Sequence, residues 1–336
     1  MELRLASIPP MLEYVSSLGN APGDLEAVRR ILDHPDYRFE ARRYGLDSLD
    51  HVADYLSRLK VIAPSDIPDL SRDHRKNSLR DKHQLWLDCA ARPEKYRDRL
   101  ERVRSLFTED FLAEMQGRLA AMFPAGTEMI DEPAVVSTLS FGQSFGYPHE
   151  GAIHLDLFGI ERHCTMEELP GIVLHEFHHL QMMKLRDGMG ELTPLELYIH
   201  WFSGEGLAVK FCNNAEGVLS RRMEPGEAPN QGIPEIGTLN GHFEEHFRLF
   251  EDTIRRLAAG ELTAEDAERQ MLDYWMNPYL YGPEMLLQTP VYSFGNELYG
   301  VVYDAFGLEE LYRCVREPLR LIRRFNEAGT GYRIGL

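Results

Sequence analysis

The stretch GIVLHEFHHLQMMKLRDG, residues 171–188, holds His175, Glu176 and His179 in the spacing H-E-x-x-H. Histidines four apart on a helix lie about 40° from each other, one above the other, so both rings can reach a single ion. The glutamate between them points about 80° off that axis. It stands beside the metal position, close enough to take a proton from water but poorly placed to ligate. The flanks predict a helix of roughly 18 residues. Pro170 suits the first position, Ile172, Val173, Leu174 and Phe177 supply apolar packing, Lys184 and Arg186 suit the last turn, and Gly188 suits the stop. The competing reading is two core histidines that fall at this spacing without a metal.

Two histidines do not hold a catalytic ion, so a third ligand is needed. Downstream, TPLELYIHWFSGEGLAVKFCNN opens with Thr193, Pro194 and Glu196, a capping box with proline at the first helical position. On this second helix Tyr198, Trp201, Phe202, Glu205, Ala208, Val209 and Cys212 share one face, which sets Glu205 into an apolar stripe. A buried carboxylate without a partner costs several kcal/mol, and a divalent cation or a buried Arg or Lys would remove that penalty. Gly204 and Gly206 each cost about 1 kcal/mol in a helix interior, which implies that a metal or another helix comes close to this turn. His175, His179 and Glu205 then form a ligand set with one tetrahedral position left for water. Mixed imidazole and carboxylate ligands suit one zinc ion, with cobalt, manganese and iron left open.

At these residues the chain resembles the gluzincin metallopeptidases, and most of all the bacterial zinc-dependent peptidases of unassigned substrate that carry HE-x-HH and an EGLA element. The match is His175-Glu176-Phe177-His178-His179 followed by Ser203-Gly204-Glu205-Gly206-Leu207-Ala208. It covers residues 165–215, and more loosely Tyr292 to Asn326. The upstream stretch SFGYPHEGAIHLDLFG has no G-x-M-E-N exopeptidase element. The resemblance implies a zincin-like core, Glu176 as general base, a Tyr or His that donates to the developing oxyanion, and a strand whose edge pairs with an extended substrate. Tyr292 is the first candidate donor, with Tyr281, Tyr299 and His246 behind it. His178 is either a hydrogen-bond donor at the rim or a packed imidazole.

A chain of 336 residues with 43% hydrophobic content has room for one large or two ordinary domains. A formal net charge of -18 argues against nucleic acid and anionic membrane as partners. The basic run Arg72 to Lys76 is flanked by acidic residues and reads as a solvated face. Cys89, Cys164, Cys212 and Cys314 form no C-x-x-C pair and read as free thiols. Without a long apolar stretch, the expectation is a soluble, cytoplasmic protein of unknown oligomeric state.

Residues 1–124 read as a helical lobe, with helices near Gly23 to His34, Leu46 to Leu59, Asp81 to Leu106 and Glu109 to Met122. Residues 125–336 read as the catalytic domain, with a small sheet in 127–158, metal helices at 170–187 and 194–213, and C-terminal helices. Ala134 to Phe141 and Gly151 to Phe158 read as strands, the second with half-buried alternation and the candidate substrate edge. Residues 242–246, HFEEH, match an inverted H-x-x-E-H pattern, but no glutamate helix follows at a suitable distance. The stretch opens a helix read from about Gly241 to Ala259, and His246 lies on its inner stripe with Phe243, Phe247, Phe250, Ile254 and Leu257.

The fold class expected is therefore α+β, predominantly α and zincin-like. The function expected is hydrolysis of peptide bonds in a peptide or protein substrate, with Glu176 as base and Tyr292 as oxyanion donor. Two rivals remain open: a zinc hydrolase of non-peptide amides or esters, and a helical module whose metal only braces the fold.

Overall fold

The structure is a computed structural model and describes residues 2–70, 79–131, 133–142, 144–278, 280–281 and 288–336. The basic run 72–76 lies outside the described residues. The chain is 61% helical with a small four-stranded sheet, an α+β arrangement dominated by helix. It divides into two compact units, Met1–Glu114 with Ile130–Leu169, and Met115–Met129 with Pro170–Leu336. The sheet thus groups with the N-terminal helices, whereas the sequence reading cut the chain at residue 124 and placed the sheet with the metal helices.

In the first unit the strands β1 (Glu2–Arg4), β2 (Ala134–Thr138), β3 (Gly146–His149) and β4 (Ala152–Asp156) are ordered β1-β2-β4-β3. β1 and β2 run parallel, as do β2 and β4, while β3 and β4 form an antiparallel hairpin. Its two-residue turn is Glu150 at φ 44° and Gly151 at φ 75°, the pair of left-handed residues that fits the twist of a tight hairpin. β4 therefore has partners on both sides, and all five of its residues are buried. This corrects the reading of that strand as a half-buried substrate edge. The hydrophobic residues of β4 are flanked by polar ones that find partners inside, so alternation did not mean exposure. His154 meets the Thr138 hydroxyl at 2.8 Å, and Asp156 pairs with Lys82 at 2.7 Å. Asp156 also caps the next helix, Leu157–His163, through the N–H groups of Phe158 and Gly159; the strand ends where that cap begins.

Two helix boundaries also differ from expectation. The single helix predicted over Asp81 to Leu106 is two, Leu79–Ala91 and Pro93–Leu106. Proline lacks the N–H that would continue the ladder and pushes the residue before it out of helical geometry; Arg92 sits at φ -133°, ψ 57°. A further helix, Pro35–Arg43, was passed over although Pro35 and the His34 cap mark its start.

In the second unit the H-E-x-x-H segment lies on the helix Leu169–Asp187, the motif helix, and the capping box starts the helix Pro194–Cys212, the glutamate helix. Both halves of that box form: the Thr193 hydroxyl accepts from Glu196 N–H, and the Glu196 carboxylate accepts from Thr193 N–H. From Tyr198 to Cys212 the glutamate helix is buried except at Trp201, Gly204 and Glu205, which share one half-open face. Of the predicted stripe, Tyr198, Phe202, Ala208, Val209 and Cys212 are buried, while Trp201 and Glu205 are half-buried. A third long helix, Pro290–Arg316, is interrupted at Gly307, whose φ of 78° is left-handed. It crosses the glutamate helix backbone to backbone. A β-carbon on Gly206 would lie 2.2 Å from the carbonyl carbon of Gly295, and one on Gly295 would lie 2.5 Å from the Phe202 oxygen. None of the helices among the described residues is long and apolar enough to cross a membrane.

Candidate metal centre

The Gly206–Gly295 crossing is what assembles the site. Glu205 precedes one glycine by a single residue and Tyr292 precedes the other by one turn, so the close approach brings the Glu205 carboxylate and the Tyr292 ring to the same place. The motif helix supplies the rest. His179 Nε2 lies 2.9 Å from His175 Nε2, and Glu205 Oε2 lies 3.2 Å from His175 Nε2 and 3.1 Å from His179 Nε2. Three ligand atoms held by one ion through bonds of about 2.0–2.1 Å at tetrahedral angles stand about 3.3 Å apart. The triangle is close to that size. Among the described residues, His175, His179 and Glu205 are the group of three that could hold a metal ion. The inverted motif around His242 and His246 gathers no such set.

Hydrogen bonding fixes which nitrogen of His175 faces the triangle. The Asn213 amide nitrogen donates to the Gln231 carbonyl at 2.9 Å, so its oxygen is the atom turned to His175 Nδ1, at 2.8 Å. That oxygen can only accept, so Nδ1 carries the proton and Nε2 presents a lone pair. Two imidazole nitrogens and a carboxylate oxygen at these distances can share one cation, and the donor set fits zinc. Burial acts to raise the Glu205 carboxyl, but the imidazoles of His179 and His175 outweigh it and hold the group well below the usual carboxylate range. A β-carbon on Gly204 would sit 4.0 Å from His179 Nδ1, an ordinary contact.

Glu176 is only 9% exposed. Burial, with the Glu205 charge adding to it and His175 opposing, pushes its carboxyl up to about 7, the range in which a proton is both taken and released near neutral pH. Tyr292 is the third residue of its helix. Its ring stacks on His175 with centroids 5.8 Å apart and planes 18° apart, and it packs on Val209, Ala215, Ile233 and Ile236. Burial and the nearby Glu205 and Glu176 carboxylates push its hydroxyl well above its ordinary value, so it stays a proton donor.

The other donors lie elsewhere. The Tyr299 hydroxyl bonds the Ile199 carbonyl at 3.2 Å, and the Tyr281 hydroxyl meets His246 Nε2 at 2.9 Å, with His246 packed against Trp275 and Phe294. His178 is fully buried, tilted against Phe123 at 5.2 Å, and burial holds it well below its usual value. Of the two readings offered for it, the packed imidazole is the one seen. Sequence reasoning missed Asn213. Its only local signal was its place just past the end of the glutamate helix, where asparagine is common anyway.

Two imidazoles and a carboxylate converge from two helices into a group that could hold a metal ion, with a second carboxylate and a phenol alongside. Residues 52–330 match the family model described as "Putative zinc dependent peptidase (DUF5700)". The chain belongs to that family. No curated protein and no solved structure matches it.

Proposed function

We propose that this protein is a zinc-dependent peptidase with a zincin-like catalytic core, in which His175, His179 and Glu205 hold one zinc ion and Glu176 is the general base. The observation that carries the reading is the triangle of ligand atoms with a buried, near-neutral carboxylate one residue from a ligand. Zinc, when bound, supplies a Lewis acid that makes a bound water acidic near neutral pH. The steps of the chain's own residues follow from their places. A Glu176 oxygen takes one proton as the water oxygen adds to the peptide carbonyl carbon. The Tyr292 hydroxyl donates a hydrogen bond to the carbonyl oxygen as it gains charge, a term worth about 10²–10³ in rate for a single donor. Glu176 then returns its proton to the amide nitrogen, the C–N bond breaks, and the acid's remaining proton passes to the amine, so that a carboxylate and an ammonium leave. A peptide or protein is the substrate, with no nucleic-acid or membrane partner required.

Metal analysis of the purified chain tests the ligand set, with one zinc per chain expected and its loss expected in both His175→Ala and Glu205→Ala. Glu176→Gln should keep zinc and fold while hydrolysis of a fluorogenic peptide library falls by about 10²–10⁴. Equal turnover in the two forms rejects Glu176 as base, and a clear preference for small amides or esters over peptides assigns the site to a different substrate class.

A further inference from the structure

The segment that follows the glutamate helix, residues 213–233, is tied down by side chains with an unusual share of left-handed backbone. Asn214 lies at φ 47°, Asn230 at φ 58° and Gly232 at φ 70°, and asparagine and glycine are the residues that tolerate this region. Asn214 binds the segment from inside: its amide nitrogen donates to the Glu224 and Ala228 carbonyls, and its oxygen accepts from Glu224 N–H. At the far side the buried Glu297 carboxylate accepts from the N–H groups of Val218, Leu219 and Ser220, and fully buried Lys210 donates to Asp304 and Ser220. The two ends of the loop meet at Asn213. Gln231 N–H donates to the Asn213 backbone carbonyl at 2.9 Å, and the Asn213 side chain donates to the Gln231 carbonyl at 2.9 Å. Asn213 is 2% exposed, and its remaining amide atom is the one on His175 Nδ1.

We infer that Asn213 is a positioning residue that couples the order of the 213–233 loop to metal affinity at His175. This rests on the zinc reading above. The coupling is physical: the Gln231 carbonyl fixes which end of the Asn213 amide faces the ring, and the ring's tautomer fixes whether Nε2 is a lone pair or a proton donor. If the loop lets go of Asn213, the amide is free to turn, His175 is free to place its proton on Nε2, and a ligand is lost. By linkage the effect runs both ways, so zinc binding must steady the loop by the same factor by which the loop tightens zinc. Partners of ligand histidines carry about 10–100-fold in metal affinity.

The experiment is zinc titration of the full chain against a competing chelator, with amide hydrogen exchange of residues 213–233 read in the zinc-loaded and stripped forms. The wild type should show slower exchange at Asn230 and Gln231 when zinc is bound. Asn213→Ala should weaken zinc by about 10–100-fold and abolish that difference, with unchanged helical circular dichroism. Asn213→Asp keeps an acceptor on His175 but sets a carboxylate against the Gln231 carbonyl, so it should retain zinc while its loop no longer responds to the metal. Asn213→Ala binding zinc as tightly as wild type, or a wild-type loop indifferent to zinc, overturns the inference. A wild type that takes up no zinc sinks the metal reading instead, a different result.

Discussion

Gly204 and Gly206, on either side of Glu205, should respond to the same substitution with opposite sign. At Gly206 an added β-carbon would lie 2.2, 2.5 and 2.6 Å from backbone atoms of Gly295. Ordinary carbon contacts begin near 3.5 Å, so the two helices must part by roughly 1 Å or more at their crossing. The obstacle is backbone, which cannot rotate away, so the cost falls at the upper end of the overpacking range of about 1–3 kcal/mol. The gain in helix propensity, about 1 kcal/mol, offsets part of it. Gly204→Ala meets only His179 Nδ1 at 4.0 Å, an ordinary contact, and collects that gain unopposed. The two variants should therefore differ by about 3 kcal/mol, and at roughly 2–4 °C per kcal/mol their melting temperatures should stand about 6–12 °C apart, Gly204→Ala the higher. Because the crossing also places Tyr292 beside Glu205, Gly206→Ala should lose peptide hydrolysis out of proportion to its loss of stability. Calorimetry of both variants in zinc-loaded and chelated form, with activity measured well below the melting range, checks this. Shifts of the same sign and size would refute the crossing as the element that sets the site.

Other expectations follow from particular groups. Tyr292→Phe keeps the ring on His175 and removes the donor, so kcat should fall by about 10²–10³ with zinc content unchanged; steady-state kinetics on a peptide substrate decides it. Glu40 is fully buried, and burial pushes its carboxyl up from 4.5 to about 7 against the pull of Lys82 and bonds from Ser140, Gly142 and Thr138. A carboxyl raised on folding binds its proton more tightly in the native state, so its contribution is full below pH 4.5 and is lost as pH rises toward 7. Glu40→Gln should remove a decline of a few kcal/mol over that window, read as the difference between wild-type and variant melting curves across pH. Lys82→Met leaves the Asp156 carboxylate buried without its partner at 2.7 Å and should cost about 3–5 kcal/mol, measured by urea denaturation.

Several features were open to a reader of residues alone. The motif helix is 19 residues, close to the expected 18, because its punctuation is local: apolar spacing, proline at one end and glycine at the other. The capping box at Thr193 forms as read, since its partners are three residues apart. Glu205 stood out because a carboxylate between two glycines on an apolar helix has few bland explanations. Failures came where local pattern and burial part company. Alternation in Ile153, His154 and Leu155 suggested an exposed face, yet His154 and Asp156 are buried because Thr138 and Lys82, far away in sequence, satisfy them.

What the sequence by itself determined is which side chains could bind an ion, since helical spacing alone lines up His175 with His179 and sets Glu176 aside from them. Only the tertiary structure decided that Glu205 and Tyr292 arrive there together and that Asn213 turns the right nitrogen of His175 inward. The first depends on the geometry of one helix, repeated every 3.6 residues. The second depends on two glycines some 90 positions apart touching through their backbones and on a loop closing over itself, and neither leaves a periodic trace in the chain.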